Sequence, residues 1–329
     1  MFEVLIRRFR VINKNNFLSV LDLLGIPFVY IAAILLREVR KIGVYRLPMS
    51  RKILLKVGCF PIRDHYYEPL YNYGKHLRFS LSQERSLPGI NWNIQEQIEI
   101  LREFHYNEEL KSILDDNGGG VDFCLTNGSF EGGDADFFYN VIRLKQPSRI
   151  FEIGSGNSTR IAIKAIRKNE VDLPGYKCKH VCIEPYEMPW LEGTGVKVIR
   201  DKVETVGKEF FSELDKEDIL FIDSSHIIRP QGDVLFEYLE LLPSLKAGVI
   251  VHIHDIFSPC DYKSEWLMDD VRFWNEQYLL EAFLTSNKDW KIIAAVNFLK
   301  HNYYDQLVEK CPFLSSESEP ASFYIQKDT

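Results

Sequence analysis

Cysteine is scarce in this chain, and the few present do not form a framework. Six cysteines in 329 residues are too few to staple a small secreted scaffold. Cys178 and Cys182, the one close pair, lack the CxxC spacing of redox or zinc sites. They alternate with their neighbours in KCKHVCIE, which reads as packing within a strand of a protein from a reducing cytosol. A basic surplus is missing as well. The formal charge of −7 argues against a general nucleic-acid binder, although the N-terminal stretch is locally basic. Internal repeats are absent, and low complexity is confined to the acidic serine cluster near Ser315–Glu319. What is present is the composition of a folded soluble protein, 46% hydrophobic, 26% charged and 13% aromatic. The length suits one large domain with an appendage or two modest domains.

The unusual segment is Phe17–Leu36, FLSVLDLLGIPFVYIAAILL, nearly all apolar and about long enough to cross a bilayer. Arg7, Arg8, Arg10 and Lys14 precede it, and Arg37, Arg40 and Lys41 follow. A signal peptide is disfavoured because no small-residue cleavage site follows. Asp22 and Pro27 interrupt a spanning helix, and basic residues at both ends give no positive-inside bias. The expectation is an interfacial or re-entrant helix kinked at Pro27, peripheral at the inner face of a membrane. The alternative is a helix buried on the main domain or on a second copy of the chain, which would make the protein a homo-oligomer.

Farther on, Asn93 and Glu96 have the spacing of a capping box ahead of an apolar stripe, Ile94, Ile98, Leu101 and Phe104. The run Asp115–Gly120 (DDNGGG) reads as a loop dividing a helical region, 1–120, from a main domain, 121–329. Beyond it strands and helices alternate. Strands are expected at Arg149–Ile153, His180–Glu184, Val196–Arg200, Ile219–Asp223 and Gly248–His254. Helices are expected at Ser158–Arg167, from Asp233 to about Leu242 ahead of Pro243, and at Asp269–Thr285. Trp290–Phe298 and Ser322–Gln326 read as a terminal strand pair. The pattern implies an α/β fold with a mostly parallel, doubly wound sheet.

In RIFEIGSGNSTRIAIKAI a glycine turn, Glu152-x-Gly154-x-Gly156, joins the first strand to its helix. Glycines suit a sharp turn with close ligand approach, and the helix N-terminus offers free N–H groups. The third glycine of a dinucleotide fingerprint is missing, Ser158 and Thr159 following Gly156 instead, and the acid within the motif suits a cationic ligand better than a pyrophosphate. On these residues the chain, from roughly Asn127 to its C-terminus, resembles the class I S-adenosylmethionine-dependent methyltransferases. The resemblance implies their Rossmann-like sheet with an added antiparallel strand, and S-adenosylmethionine held by Glu152, Gly154, Ser155, Gly156, Asn157 and Ser158. Glu184 falls where the family keeps an acid for the ribose hydroxyls, and Asp201–Glu204 where it contacts adenine.

Ligands of such sheets gather at the carboxyl ends of the strands. There ILFIDSSH and VIVHIHDIF bring together Asp223, His226, His252, His254 and Asp255. A hydroxyl acceptor must lose its proton, so His226 or His254 is the expected general base, with Asp255 beside them and Asp223 also reaching the cofactor. The region resembles the metal-dependent catechol-type O-methyltransferases, which implies Asp223, His254 and Asp255 as magnesium ligands; a metal-free site is an equal alternative. His252 is expected to be a hydrogen-bonded structural histidine. Tyr262 and Trp266, in a polar and aromatic loop, are candidates to line the acceptor pocket, and the segment around Asp134 could fold over the cofactor. The function expected is O-methylation of a small-molecule or glycan hydroxyl. N-methylation, an NAD-dependent oxidoreductase, a metal-dependent hydrolase using the HxH pair, and a non-catalytic membrane-associated relative are the alternatives.

Overall fold

The long apolar run and the alternating strands fall in two separate units of the chain. The computed structural model describes residues 2–69, 72–114 and 123–328, and its contacts separate Met1–Arg78 from Phe79–Thr329. The loop 115–120, expected to divide the chain, lies outside the described residues.

In the first unit, helix α1 (Phe2–Ile42) runs through Pro27 without interruption. Its segment Phe17–Ile42 is apolar and long enough to cross a membrane, and none of it is buried. Helix α2 (Pro48–Val57) begins with proline at its first position and stops at Gly58, whose φ of +74° only glycine adopts freely. The end of α1 is fastened by a two-pronged pair, Arg40 to Glu68 at 2.9 and 2.6 Å.

In the second unit, β1 (Arg149–Ile153), β2 (Lys179–Ile183), β3 (Lys197–Ile199), β4 (Ile219–Ile222), β5 (Ile250–Ile253), β6 (Trp290–Ala295) and β7 (Phe323–Lys327) form one sheet. Its order is β3-β2-β1-β4-β5-β7-β6. The first five are mutually parallel, and β7 runs antiparallel to both β5 and β6. Central strands are buried on both faces, so their side chains alternate between two cores. Ile150, Ile219 and Phe221 enter one core. Phe151, Leu220 and Ile222 enter the other.

Helices α3 (Ile94–Glu103), α4 (Asn107–Leu114), α5 (Asp134–Lys145) and α6 (Asn157–Asp172) precede or follow the first strand, and α7 (Glu276–Leu284), α8 (Val296–Asn302) and α9 (Tyr304–Lys310) come late. Ile98, Leu101 and Phe104 of the expected stripe share a core with Phe137 and Phe138 of α5.

Four local expectations are corrected. Asn93 adopts a left-handed conformation with φ +46° and caps nothing with its side chain. Its amide reaches Ile292 instead, and Glu96 pairs with Lys291 at 2.7 Å. The helix expected at Asp269–Thr285 begins only at Glu276; ahead of it Arg272 lies 4.5 Å from the rings of both Trp266 and Trp274, which meet each other edge to face. The strand expected to reach Phe298 ends at Ala295, where pairing with Phe323 stops and α8 starts. The helix from Asp233 is interrupted by a π turn at Glu237–Leu241, and Pro243 lies inside its last turn rather than after it.

Candidate functional site

The glycine turn is shaped by what surrounds it. Gly154 has φ +78°, donates its N–H to Ile183 at 3.0 Å, and follows Ile153, whose carbonyl accepts the Asp223 N–H at 2.8 Å. Gly156 precedes α6 and donates to the Thr159 hydroxyl at 3.2 Å. Glu152 is fully buried. One of its oxygens takes the hydroxyls of Ser158 and Thr159, each at 2.9 Å, and the other meets the His180 ring. The Cys182 thiol also reaches it at 3.9 Å, so the acid of the motif is occupied by protein partners and organises the turn from inside. Ser155 carries a buried hydroxyl with no hydrogen-bond partner among the described residues. Asn157 is tied to Ser129 at 2.9 Å.

Glu184 follows β2 and accepts the N–H groups of Tyr186 and Glu187, both at 3.0 Å, on one oxygen, Oε1. That fixes the carboxylate while its second oxygen carries neither bond, which suits a ligand hydroxyl. Asp201 follows β3. The Thr205 hydroxyl at 2.6 Å and the Lys202 N–H at 2.8 Å hold its carboxyl below the usual range.

At the ends of β4 and β5 lies the polar cluster. Asp223 and His254 sit at equivalent places, His254 clipped to β4 by its N–H to Ile222 at 2.9 Å. His226 and Asp255 both take positive φ, +58° and +60°, a strained backbone of the kind that collects at functional sites. The Nε2 atom of His226 stands 3.2 Å from Asp223 and 3.4 Å from Asp255, while Nδ1 bonds Glu276 at 2.8 Å. Glu276 is itself held by the Tyr238 hydroxyl at 3.0 Å. Trp274 covers the imidazole with ring centroids 4.3 Å apart. Burial disfavours a charged imidazole here, but the bonds to Asp223 and Glu276 outweigh it and hold the pKa of His226 well above the ordinary value.

His254 is balanced similarly. Burial opposes its charge, and Asp255 at 3.4 Å, Asp134 at 3.5 Å and Asp223 at 3.7 Å raise its pKa well above the ordinary value. Both of its ring nitrogens lack a hydrogen bond of normal geometry. Burial pushes the Asp223 carboxyl up, yet the bonds to His226 and His254 carry it far below the usual range. Asp255 is raised, burial outweighing its neighbouring imidazoles.

His252 shares the face of His254 but sits in the core, its Nε2 on the Ser322 hydroxyl at 2.8 Å and its ring stacked on Tyr324 at 4.0 Å. Burial depresses its pKa well below the ordinary value, so it is neutral and structural.

Within this cluster the ligand atoms of Asp223, His226 and Asp255 converge within 4.8 Å of one another; the buried trio Glu152, His180 and Cys182 beneath the glycine turn does so too. The set expected from resemblance had His254 in the place of His226. Two carboxylates and an imidazole whose other nitrogen is fixed by a buried acid form a workable donor set for a divalent cation, with the imidazole less suited to magnesium than to a softer metal.

Of the proposed pocket residues, Tyr262 is fully buried and its oxygen accepts the Gln277 N–H at 3.0 Å, so it supports the loop from beneath. Trp266 is half-buried beside Trp274. Asp134 sits at the start of α5, accepts the Ala321 and Ser322 N–H groups at 2.9 and 2.8 Å, and turns its other oxygen to His254. Sequence reading missed Glu276, Tyr238 and His180. Glu276 lies fifty positions from its partner His226, and no local pattern signals that pairing.

Residues 151–256 match a family model described as a methyltransferase domain. That span runs from β1 to just past β5 and contains every residue from Glu152 to Asp255 discussed above. An uncharacterised protein of Archaeoglobus fulgidus is 27% identical, over 56% of this chain and 86% of its own length. A solved structure of an O-methyltransferase from Bacillus cereus in complex with SAH is similar at 11% identity, with a TM-score of 0.37, over 71% of this chain and 91% of that one. A likeness that distant assigns no activity. What the comparisons give is a likeness of residues 151–256 to a methyltransferase domain, on the part of the sheet from β1 to β5.

Proposed function

We propose that the chain is an S-adenosylmethionine-dependent O-methyltransferase acting on a hydroxyl of a small molecule or glycan. The observation that carries this reading is adjacency: the glycine turn packs directly on Asp223, the residue at the centre of the proton-bearing cluster. When bound, the cofactor supplies an electrophilic methyl group on a cationic sulfonium. The unpartnered Ser155 hydroxyl, the turn backbone, Glu184 and Asp201 are the groups that would hold it.

The chain's own work is then to orient the acceptor and take its proton. His226 is anchored through Nδ1, so Nε2 is the nitrogen that exchanges a proton. Its raised pKa means that it carries a proton at neutral pH among carboxylates alone. Positive charge brought to the same sheet edge lowers that pKa and readies the imidazole as a base. Asp223, His226 and Asp255 would also hold a divalent cation, which would polarise an acceptor oxygen there. In that case His254 is the histidine left to accept a proton.

The test is calorimetric titration with S-adenosylmethionine and with NADH, each with and without magnesium, followed by methyl transfer to a panel of phenolic and sugar hydroxyls. Binding of the sulfonium compound alone and turnover lost in His226→Ala support the reading. Binding of NADH instead, or turnover on amines only, rejects it.

A further inference from the structure

None of the site residues named above lies in residues 1–78, and among the described residues this unit holds most of the exposed large apolar side chains. On α1, Leu23, Leu24, Phe28, Val29 and Tyr30 are each at least two-thirds exposed. At about 100° per residue these five positions point to all sides of the helix. An amphipathic surface helix would keep one polar face; a helix apolar all round needs apolar surroundings on every side. One partner chain could cover only one stripe of it. The run Phe17–Leu36, at about 1.5 Å per residue, is about 30 Å long, the thickness of a bilayer's hydrocarbon core.

Helix α2 differs in pattern. Met49, Ile53 and Val57 recur every four residues and are all exposed, whereas Leu54 turns inward. Lys52 and Lys56 flank this stripe, and with Arg51 they make no ion pair among the described residues. Tyr45, Tyr66 and Tyr67 are also strongly exposed, and tyrosine collects where bilayer meets water. Counting charge as far as α2 changes the balance seen at the immediate ends of α1. Residues 37–56 hold seven Lys or Arg, against four in residues 1–16. The side following α1 is therefore the one that the positive-inside rule retains in the cytoplasm.

We propose that residues 1–78 are a two-part membrane anchor: α1 crosses the bilayer, and α2 lies in the cytoplasmic interface with Met49, Ile53 and Val57 among the acyl chains and Lys52 and Lys56 on anionic headgroups. The anchor is independent of which acceptor the methyltransferase unit uses.

The experiment uses the full chain with Cys124→Ser, which leaves Cys59, just past α2, as the exposed thiol for an environment-sensitive fluorophore. Expressed membranes are first washed with alkaline carbonate, and the chain stays in the pellet. After reconstitution, emission from Cys59 shifts to the blue in phosphatidylcholine–phosphatidylglycerol vesicles and much less in phosphatidylcholine alone. Added salt reverses the shift, as does the surface pair Lys52→Glu/Lys56→Glu, which remains carbonate-resistant. Carbonate extraction of the full chain, or its recovery as a detergent-free soluble oligomer, overturns the crossing. Equal emission in the two lipid compositions overturns the role of α2.

Discussion

The Cβ that Gly154 lacks would stand 1.9 Å from the backbone oxygen of Asp223. The first strand's turn and the fourth strand's end are in contact at a point where neither backbone can yield. This changes the reason for the glycine. A side chain there was expected to occupy ligand space, but it would collide with the protein first, in a backbone region already unfavourable to L-residues. Gly154→Ala should therefore lose stability, on the order of 3 kcal/mol from overpacking and left-handed strain together. Urea unfolding of Gly154→Ala measures it, alongside cofactor titration. Lost cofactor affinity with unchanged stability would restore the simpler explanation.

Glu276 controls His226 from the side away from the cluster. Removing its charge while keeping its shape, Glu276→Gln, takes away one of the groups that raise the imidazole pKa. A base must be deprotonated to act, so activity rises with pH through that pKa. The acid limb of the pH–rate profile in Glu276→Gln should move to lower pH, by about one unit if about 1.4 kcal/mol of interaction is lost. An acid limb that stays in place would mean that His226 is not the titrating base.

Local pattern accounts for how much of this was readable beforehand. Strands β1 to β5 and the turn Glu152–Gly156 are contiguous apolar runs and glycine positions, so the sheet and cofactor turn could be read from neighbours alone. Asp223, His226, His254 and Asp255 follow, because strand ends in a parallel sheet lie along one edge. Glu276 could not be read, since its tie to His226 exists only after α7 packs. The stretch before Glu276 has helical periodicity, but there the chain sets Arg272 against the paired rings of Trp266 and Trp274 instead. Trp290–Phe298 is one apolar run, and apolarity cannot distinguish the end of β6 from the start of α8.

Arg85 holds the segment preceding α3 against the late helix α7. It donates to both oxygens of Glu281, to Cys260 at 3.0 Å, and lies 3.2 Å from Asp261. Glu281 is buried and also takes the Ser258 hydroxyl at 2.6 Å. Arg85→Ala leaves that carboxylate buried without its cation, which costs about 3–5 kcal/mol. Hydrogen exchange should then show faster exchange from Leu81 to Ile90, with urea unfolding giving the overall loss. The paired change Arg85→Met/Glu281→Leu should recover most of it, because the uncompensated charge is gone.

Asp136 gives the chain a pH dependence that does not involve the reaction. It is fully buried in α5, accepts the Gly133 N–H at 2.7 Å and the Phe313 N–H at 3.1 Å, and burial outweighs those bonds to push its pKa up to about 6. The folded state thus binds this proton more tightly than the unfolded chain, where an aspartate titrates near 3.8. The resulting stability is fully present below the unfolded pKa and is lost as pH rises through the folded one. Between about pH 4.5 and pH 7.5 the loss from this group is about 2 kcal/mol. Asp136→Asn has no proton to release, so its stability should lack this decline. Urea unfolding of wild type and Asp136→Asn at both pH values isolates the difference. Parallel pH dependence in the two proteins would show that Asp136 is ionised in the folded core throughout.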